Sequence, residues 1–236
     1  MFDPKKFTTP TAKPLPVVLL LDISGSMNGD KINNLNKAVR DMLGAFAEEE
    51  RMETEILVSV ITFGSKVELH IPYTNASQVQ WKNLEADGMT PMGAALKMAK
   101  DMIEDKETTP SRAYRPTIVL VSDGQPNDTW EEPLKDFISE GRSSKCDRMA
   151  MAIGSDADKT VLNKFIKGTP YDLFNAKDGG QILEFFQRVT MSVTMRTRSS
   201  NPNAVPDISE IKLDSNGVKS DVTGNATKSS DDEGYW

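Results

Sequence analysis

Residues 16–22 read Pro-Val-Val-Leu-Leu-Leu-Asp, five consecutive apolar side chains closed by a carboxylate. Side chains of a strand alternate between the two faces of its sheet. An unbroken apolar run must therefore be covered on both faces, the situation of a parallel strand sandwiched between helices. Residues 116–124, Pro-Thr-Ile-Val-Leu-Val-Ser-Asp-Gly, repeat the pattern and again end at a carboxylate.

The segments around these runs alternate in period. Asp30 is placed to cap a helix whose apolar positions are Ile32, Leu35, Val39, Leu43 and Phe46. A strand is expected over 54–64. Gly64-Ser65 then turns the chain straight into the alternating run Lys66–Tyr73, and so short a connection implies an antiparallel hairpin. Met92, Ala95, Leu96, Ala99 and Ile103 form the stripe of a further helix, with Pro91 at its first position and Thr90 just before it. Helices near 130–141, 158–167 and 179–195 and strands over 148–154 and 171–176 follow. This alternation implies parallel βαβ units in a layered α/β sheet, with one antiparallel edge strand. We divide the chain into an N-terminal arm (1–14), one domain (15–196) and a tail (197–236). The tail is rich in Ser, Asn, Asp and Gly and is expected to be disordered, with Tyr235-Trp236 as its only candidate contact.

Composition narrows the function. A net charge of -7 argues against nucleic acid or an anionic membrane as partner. No run approaches the ~20 apolar residues of a membrane span, and the first residues do not read as a secretion signal, so a soluble cytoplasmic protein is expected. The single cysteine, Cys146, cannot form an internal disulfide and is expected to be packed. With His70, read as a surface or rim residue of the edge strand, as the only histidine, no Ser/His/Asp triad is expected and a His-rich metal site is excluded.

Open parallel sheets bind ligands beyond the carboxyl ends of their strands, where the strand order reverses. Two strands here end in Asp22 and Asp123. Asp22 opens the pattern Asp22-x-Ser24-x-Ser26, and Thr90 lies in the loop before a helix. Each feature has an ordinary explanation: Asp and Ser favour turns, Thr90 suits a helix cap, and Asp-Gly is a common turn pair. Together they supply only oxygen, which suits a hard divalent cation such as Mg²⁺. Mn²⁺ fits equally, and Ca²⁺ less well. Two carboxylates balance the ion's charge, three hydroxyls add ligands without charge, and one position is left for a partner's carboxylate.

Taken in order, "DISGSM", "DGMTPM" and "VSDG" resemble the metal-ion-dependent adhesion site of von Willebrand factor A (vWA) domains, over about residues 15–195. The resemblance implies a doubly wound, Rossmann-like three-layer sandwich. It implies direct coordination by Ser24 and Ser26, and coordination by Thr90 either directly or through water. Asp22 and Asp123 would act mainly through water. Within the family, the wording is most similar to bacterial TerY-like proteins of tellurite resistance, with "ADGMTPM" as a small departure. That likeness implies a stress-response module beside a Ser/Thr kinase and a PP2C-type phosphatase. The function expected is a non-enzymatic, metal-dependent protein-interaction module. Its rim, with Asp30, Asp87, Asp128, Glu131 and Glu132, would be acidic, and Trp130 would either anchor a partner or pack beneath its loop. The alternative is a metal-dependent phosphohydrolase of the haloacid dehalogenase type. That chemistry needs a second Asp at position 24, where Ser24 stands, and a phosphate-side lysine that is not evident in the sequence.

Overall fold

The computed structural model describes residues 13–50 and 55–206. Six strands form one sheet: β1 (Leu15–Asp22), β2 (Ile56–Phe63), β3 (Val67–Asn75), β4 (Thr117–Ser122), β5 (Asp147–Ile153) and β6 (Phe174–Ala176). Their order is β3-β2-β1-β4-β5-β6. All neighbours pair parallel except β2 and β3, which form the antiparallel edge hairpin. The chain winds outward from β1 through β2 to β3, then recrosses to β4 and winds the other way, so the order reverses between β1 and β4.

The apolar runs are explained by what covers each face. Every residue of β1 is buried. Val17, Leu19 and Leu21 join a cluster with Phe46, Phe185 and Phe186, contributed by helices α1 (Asp30–Glu50) and α5 (Gly179–Thr197). Val18 and Leu20 point to the opposite cluster with Leu96, Phe137 and Phe165, from α2 (Met92–Glu104), α3 (Glu131–Ser139) and α4 (Lys159–Phe165). Each large apolar side chain so enclosed is worth about 1.5–3 kcal/mol relative to exposure. The expected stripe of α1 and that of α2 are both buried. β3, at the edge, is mostly half-exposed or exposed. The result is the expected doubly wound three-layer α/β sandwich.

Two local differences matter. α2 starts at Met92 with Pro91 as its N-cap, one residue later than expected, and no cap side chain bonds from that position. At the other end of the sheet the chain stays tied past 197. The fully buried Arg196 donates to Thr117 Oγ1 (2.7 Å), Arg115 O (2.5 Å) and Pro202 O (2.7 Å), and Arg115 N donates to Asn203 Oδ1 at 2.8 Å. The boundary expected at 196/197 thus falls inside a hydrogen-bonded segment. Residues 1–12 and 207–236, which hold most of the arm and of the tail with Tyr235-Trp236, lie outside the described residues. Among the described residues no helix is long and apolar enough to cross a membrane.

Candidate metal centre

The register of β1 on β4 sets Leu21 beside Val121, so the strands deliver Asp22 and Ser122 side by side at the point of reversal, with Asp123 next along the chain. Ser122 Oγ donates to Asp22 Oδ2 at 2.5 Å. The other carboxylate oxygen, Oδ1, accepts the Ser24 N–H at 2.8 Å, and this short turn aims the Ser24 side chain back over the strand end. A single 3-10 turn, Gly25–Met27, then brings Ser26 round. Ser24 Oγ and Ser26 Oγ stand 2.9 Å apart, and Ser26 Oγ donates to Asp123 Oδ1 at 2.7 Å.

Thr90 arrives on a loop stapled by backbone bonds. Asp87 N donates to Ile23 O (2.7 Å), Gly25 N to Gly88 O (3.0 Å) and Ser65 N to Asp87 O (3.0 Å). Gly88 is required there: its φ is +82°, and a Cβ would strike the Ser65 backbone. A Cβ added to Gly124 would lie 3.3 Å from Thr90 Oγ1 and 3.8 Å from Ser26 Oγ, so the bare glycine leaves open the space beside both hydroxyls. The structure thus brings all five anticipated residues to one place. Asp22 and Asp123 are fully buried, Ser24 and Thr90 nearly so, and Ser26 faces outward.

Burial dominates the electrostatics of the two carboxylates. Burial pushes the Asp22 carboxyl above its ordinary range; hydrogen bonds from Ser122 and Ser24 oppose the shift, and neighbouring Asp123 adds to it. Among the described residues no three of His, Cys, Asp and Glu gather as a metal cluster. An ion here would rest on two carboxylates and three hydroxyls, an all-oxygen set that fits Mg²⁺ or Mn²⁺.

Ser122 and Lys31 escaped the sequence reading, and Asp128, expected on the acidic rim, is half-buried with a different role. Ser122 orients Asp22. Asp128 caps α2, accepting from Gly93 N and Ala94 N, both at 2.9 Å, and this leaves the Thr90 hydroxyl with no capping duty. Lys31 Nζ sits 2.5 Å from Asp123 Oδ2 and 3.2 Å from Ser26 O. The available signal for Lys31 was its position: a cation in the first turn of a helix opposes the helix dipole and needs a reason. Trp130 is half-buried, packed against the α2–α4 cluster with Lys164 Nζ 5.1 Å above its ring. Met89, beside Thr90, is 63% exposed. Cys146 is packed at the far end of the sheet, where burial pushes its thiol up to about 12. His70 lies on β3 against Trp81, ring centroids 5.7 Å apart.

Comparison with known proteins agrees with this fold. The chain is 24% identical over 157 residues to human inter-alpha-trypsin inhibitor heavy chain H6, a match covering 63% of this chain and 12% of that protein. Among solved structures, a von Willebrand factor type A protein from Catenulispora acidiphila superposes with a TM-score of 0.60 at 20% identity, over 78% of this chain and 43% of that one. The pilus adhesin SpaC of Lactobacillus rhamnosus GG, in its open conformation, gives 0.63 at 16% identity, over 80% and 31%. Proximal thread matrix protein 1 of the mussel byssus, with a zinc-occupied MIDAS motif, gives 0.55 at 14%, over 76% and 48%. The chain therefore spans less than half of each of these relatives. The sequence profile of the von Willebrand factor type A domain matches residues 17–188, most of the chain, and the chain belongs to that family.

Proposed function

We propose that this chain is a non-enzymatic, metal-dependent protein-interaction module. Asp22, Ser24, Ser26, Thr90 and Asp123 would hold Mg²⁺, or Mn²⁺ in its place, and a carboxylate of a partner protein would complete the ion's shell. Family membership supports the class, since vWA domains often act as interaction modules of this kind. The single observation that carries the site is the hydroxyl bridge: Ser26 Oγ lies 2.9 Å from Ser24 Oγ and 2.7 Å from Asp123 Oδ1. Bound there, the ion would act as a Lewis acid toward a visiting carboxylate. The protein's part is to hold oxygens from three distant segments around one point.

The surround refines the partner. Asp30, Asp87, Glu131 and Glu132 are exposed, and Met89 is exposed beside Thr90. The partner should present its acid from a basic surface, with an apolar contact for Met89. A cytoplasmic stress-response setting beside a Ser/Thr kinase and a PP2C-type phosphatase rests on the likeness of three short segments to TerY-like proteins.

The deciding experiment is a pull-down from the native cell with the parent protein and Asp22→Ala, each in Mg²⁺ and in EDTA, circular dichroism verifying the fold. A partner should be retained only by the parent and only with Mg²⁺. Equal retention by the variant, or in EDTA, would refute the metal-bridge reading. With Ser24 where a phosphohydrolase needs its acid, no turnover of a generic phosphoester is expected; turnover abolished by Asp22→Ala would instead establish the enzymatic alternative.

A further inference from the structure

Two carboxylates buried side by side raise the question of what balances them without a divalent ion. Lys31 answers it. Its Nζ is 2.5 Å from Asp123 Oδ2 and also donates to Ser26 O at 3.2 Å, so it holds both ends of the Ser26–Asp123 contact. The Asp123 side chain is 0% exposed, and that of Lys31 is 34% exposed. The lysine thus reaches inward from the surface, and its tip lies against Gly154 at the end of β5, 3.8 Å from where a Cβ would stand. Lys31 is the second residue of α1, at the positive end of the helix dipole, where an ammonium is locally disfavoured. The pairing with Asp123 and the bond to Ser26 O offset that placement.

We infer that Lys31 is a tethered cation that tunes this centre: it stabilises the Asp22–Asp123 pair without a divalent ion, weakens binding of that ion, and strengthens the loaded centre's hold on a carboxylate. The inference rests on the metal reading of the site. The charge count carries it. Two carboxylates and a divalent ion sum to zero, and such a centre attracts a further anion only weakly. With Lys31 beside them the same centre carries one net positive charge, which favours a visiting acid and disfavours the ion's entry.

The test uses Mn²⁺ alone on the parent, Lys31→Gln and Lys31→Arg. Gln keeps a donor for Asp123 and removes the charge; Arg keeps the charge. Starting from Mn²⁺-loaded protein and titrating with a chelator begins every variant from the same ion-bound state. Lys31→Gln should hold Mn²⁺ about tenfold more tightly than the parent, a shift well within what one unit charge at contact range produces, and Lys31→Arg should match the parent. In EDTA, Lys31→Gln should melt below the parent. Acetate, followed by its displacement of Mn²⁺-bound water, should act at lower concentration on the parent than on Lys31→Gln. If the parent binds Mn²⁺ and Lys31→Gln binds it equally or less tightly, the tuning role is overturned while the metal site stands. An unchanged acetate response overturns the part of the inference that concerns the visiting acid. If the parent does not bind Mn²⁺ at all, the metal reading fails and this inference falls with it.

Discussion

At the scale of single residues the centre depends on one absent atom as much as on those present. Gly124 follows Asp123, and a Cβ there would press on Thr90 Oγ1 at 3.3 Å and approach Ser26 Oγ at 3.8 Å. Its φ does not lie in the left-handed region, so the backbone itself accepts a side chain. Gly124→Ala should therefore separate folding from ion binding. We expect the melting temperature in EDTA to stay within about 2 °C of the parent, the range of a surface substitution in a domain of this size. Mn²⁺ affinity should fall about tenfold, roughly 1.4 kcal/mol, because the added methyl enters the space beside two hydroxyls. Chelator competition and a thermal melt on the same sample check both halves. A variant that lost stability and affinity in proportion would show the glycine to be purely structural.

At the scale of elements, what could be read from the sequence divides along a physical line. β1 and β4 were legible because burial on both faces leaves an unbroken apolar run in the interior of each strand, and Asp22 at the end of β1 and Asp123 just past the end of β4 stand out against that background. The edge hairpin was legible because Gly64-Ser65 leaves no room for a crossover. The start of α2 was misread because its cap is supplied from far along the chain: Thr90 and Pro91 look like a start signal, yet Asp128 does the capping from 35 residues away. Local propensity contains no record of such a partner. Lys31 was hidden for the same reason, since its meaning lies in Asp123, 92 residues on. The cap makes a prediction of its own. Asp128→Ala should cost about 1 kcal/mol, a drop of about 2–4 °C in melting temperature, and Asp128→Asn less. Because Asn127 N also donates to Thr90 O at 3.1 Å, the loop holding Thr90 should loosen, and Mn²⁺ affinity should fall in Asp128→Ala more than in a stability-matched variant at the far end of the sheet.

At the scale of the molecule, the carboxyl ends of the strands are left open for the centre, and the opposite end is closed by the chain's own continuation. Arg196 fastens α5 to the start of β4 and to the segment around Pro202. Beyond it, Arg198 Nη2 meets Glu49 Oε2 at 2.6 Å and Arg198 Nε meets Glu49 Oε1 at 2.8 Å, joining the first residue after α5 to the end of α1. These two helices cover the same face of the sheet, so the pair ties that layer together. The hydrogen bond and charge of Arg198 hold the Glu49 carboxyl below its ordinary range. A carboxyl whose value is depressed by folding stabilises the fold above its unfolded value, near ~4.3, and loses that contribution as pH falls through the lower folded value. Arg198 is largely exposed, so the tie is modest, about 1 kcal/mol or less. Glu49→Gln should therefore melt slightly below the parent at neutral pH. As the buffer is acidified below the unfolded glutamate value the two melting curves should converge, because protonation removes from the parent what the substitution has already removed. Ion binding should be unaffected throughout, since the pair lies at the far end of α1 from Lys31. A gap that persisted unchanged into acid would mean that Glu49 acts through packing and not through its charge.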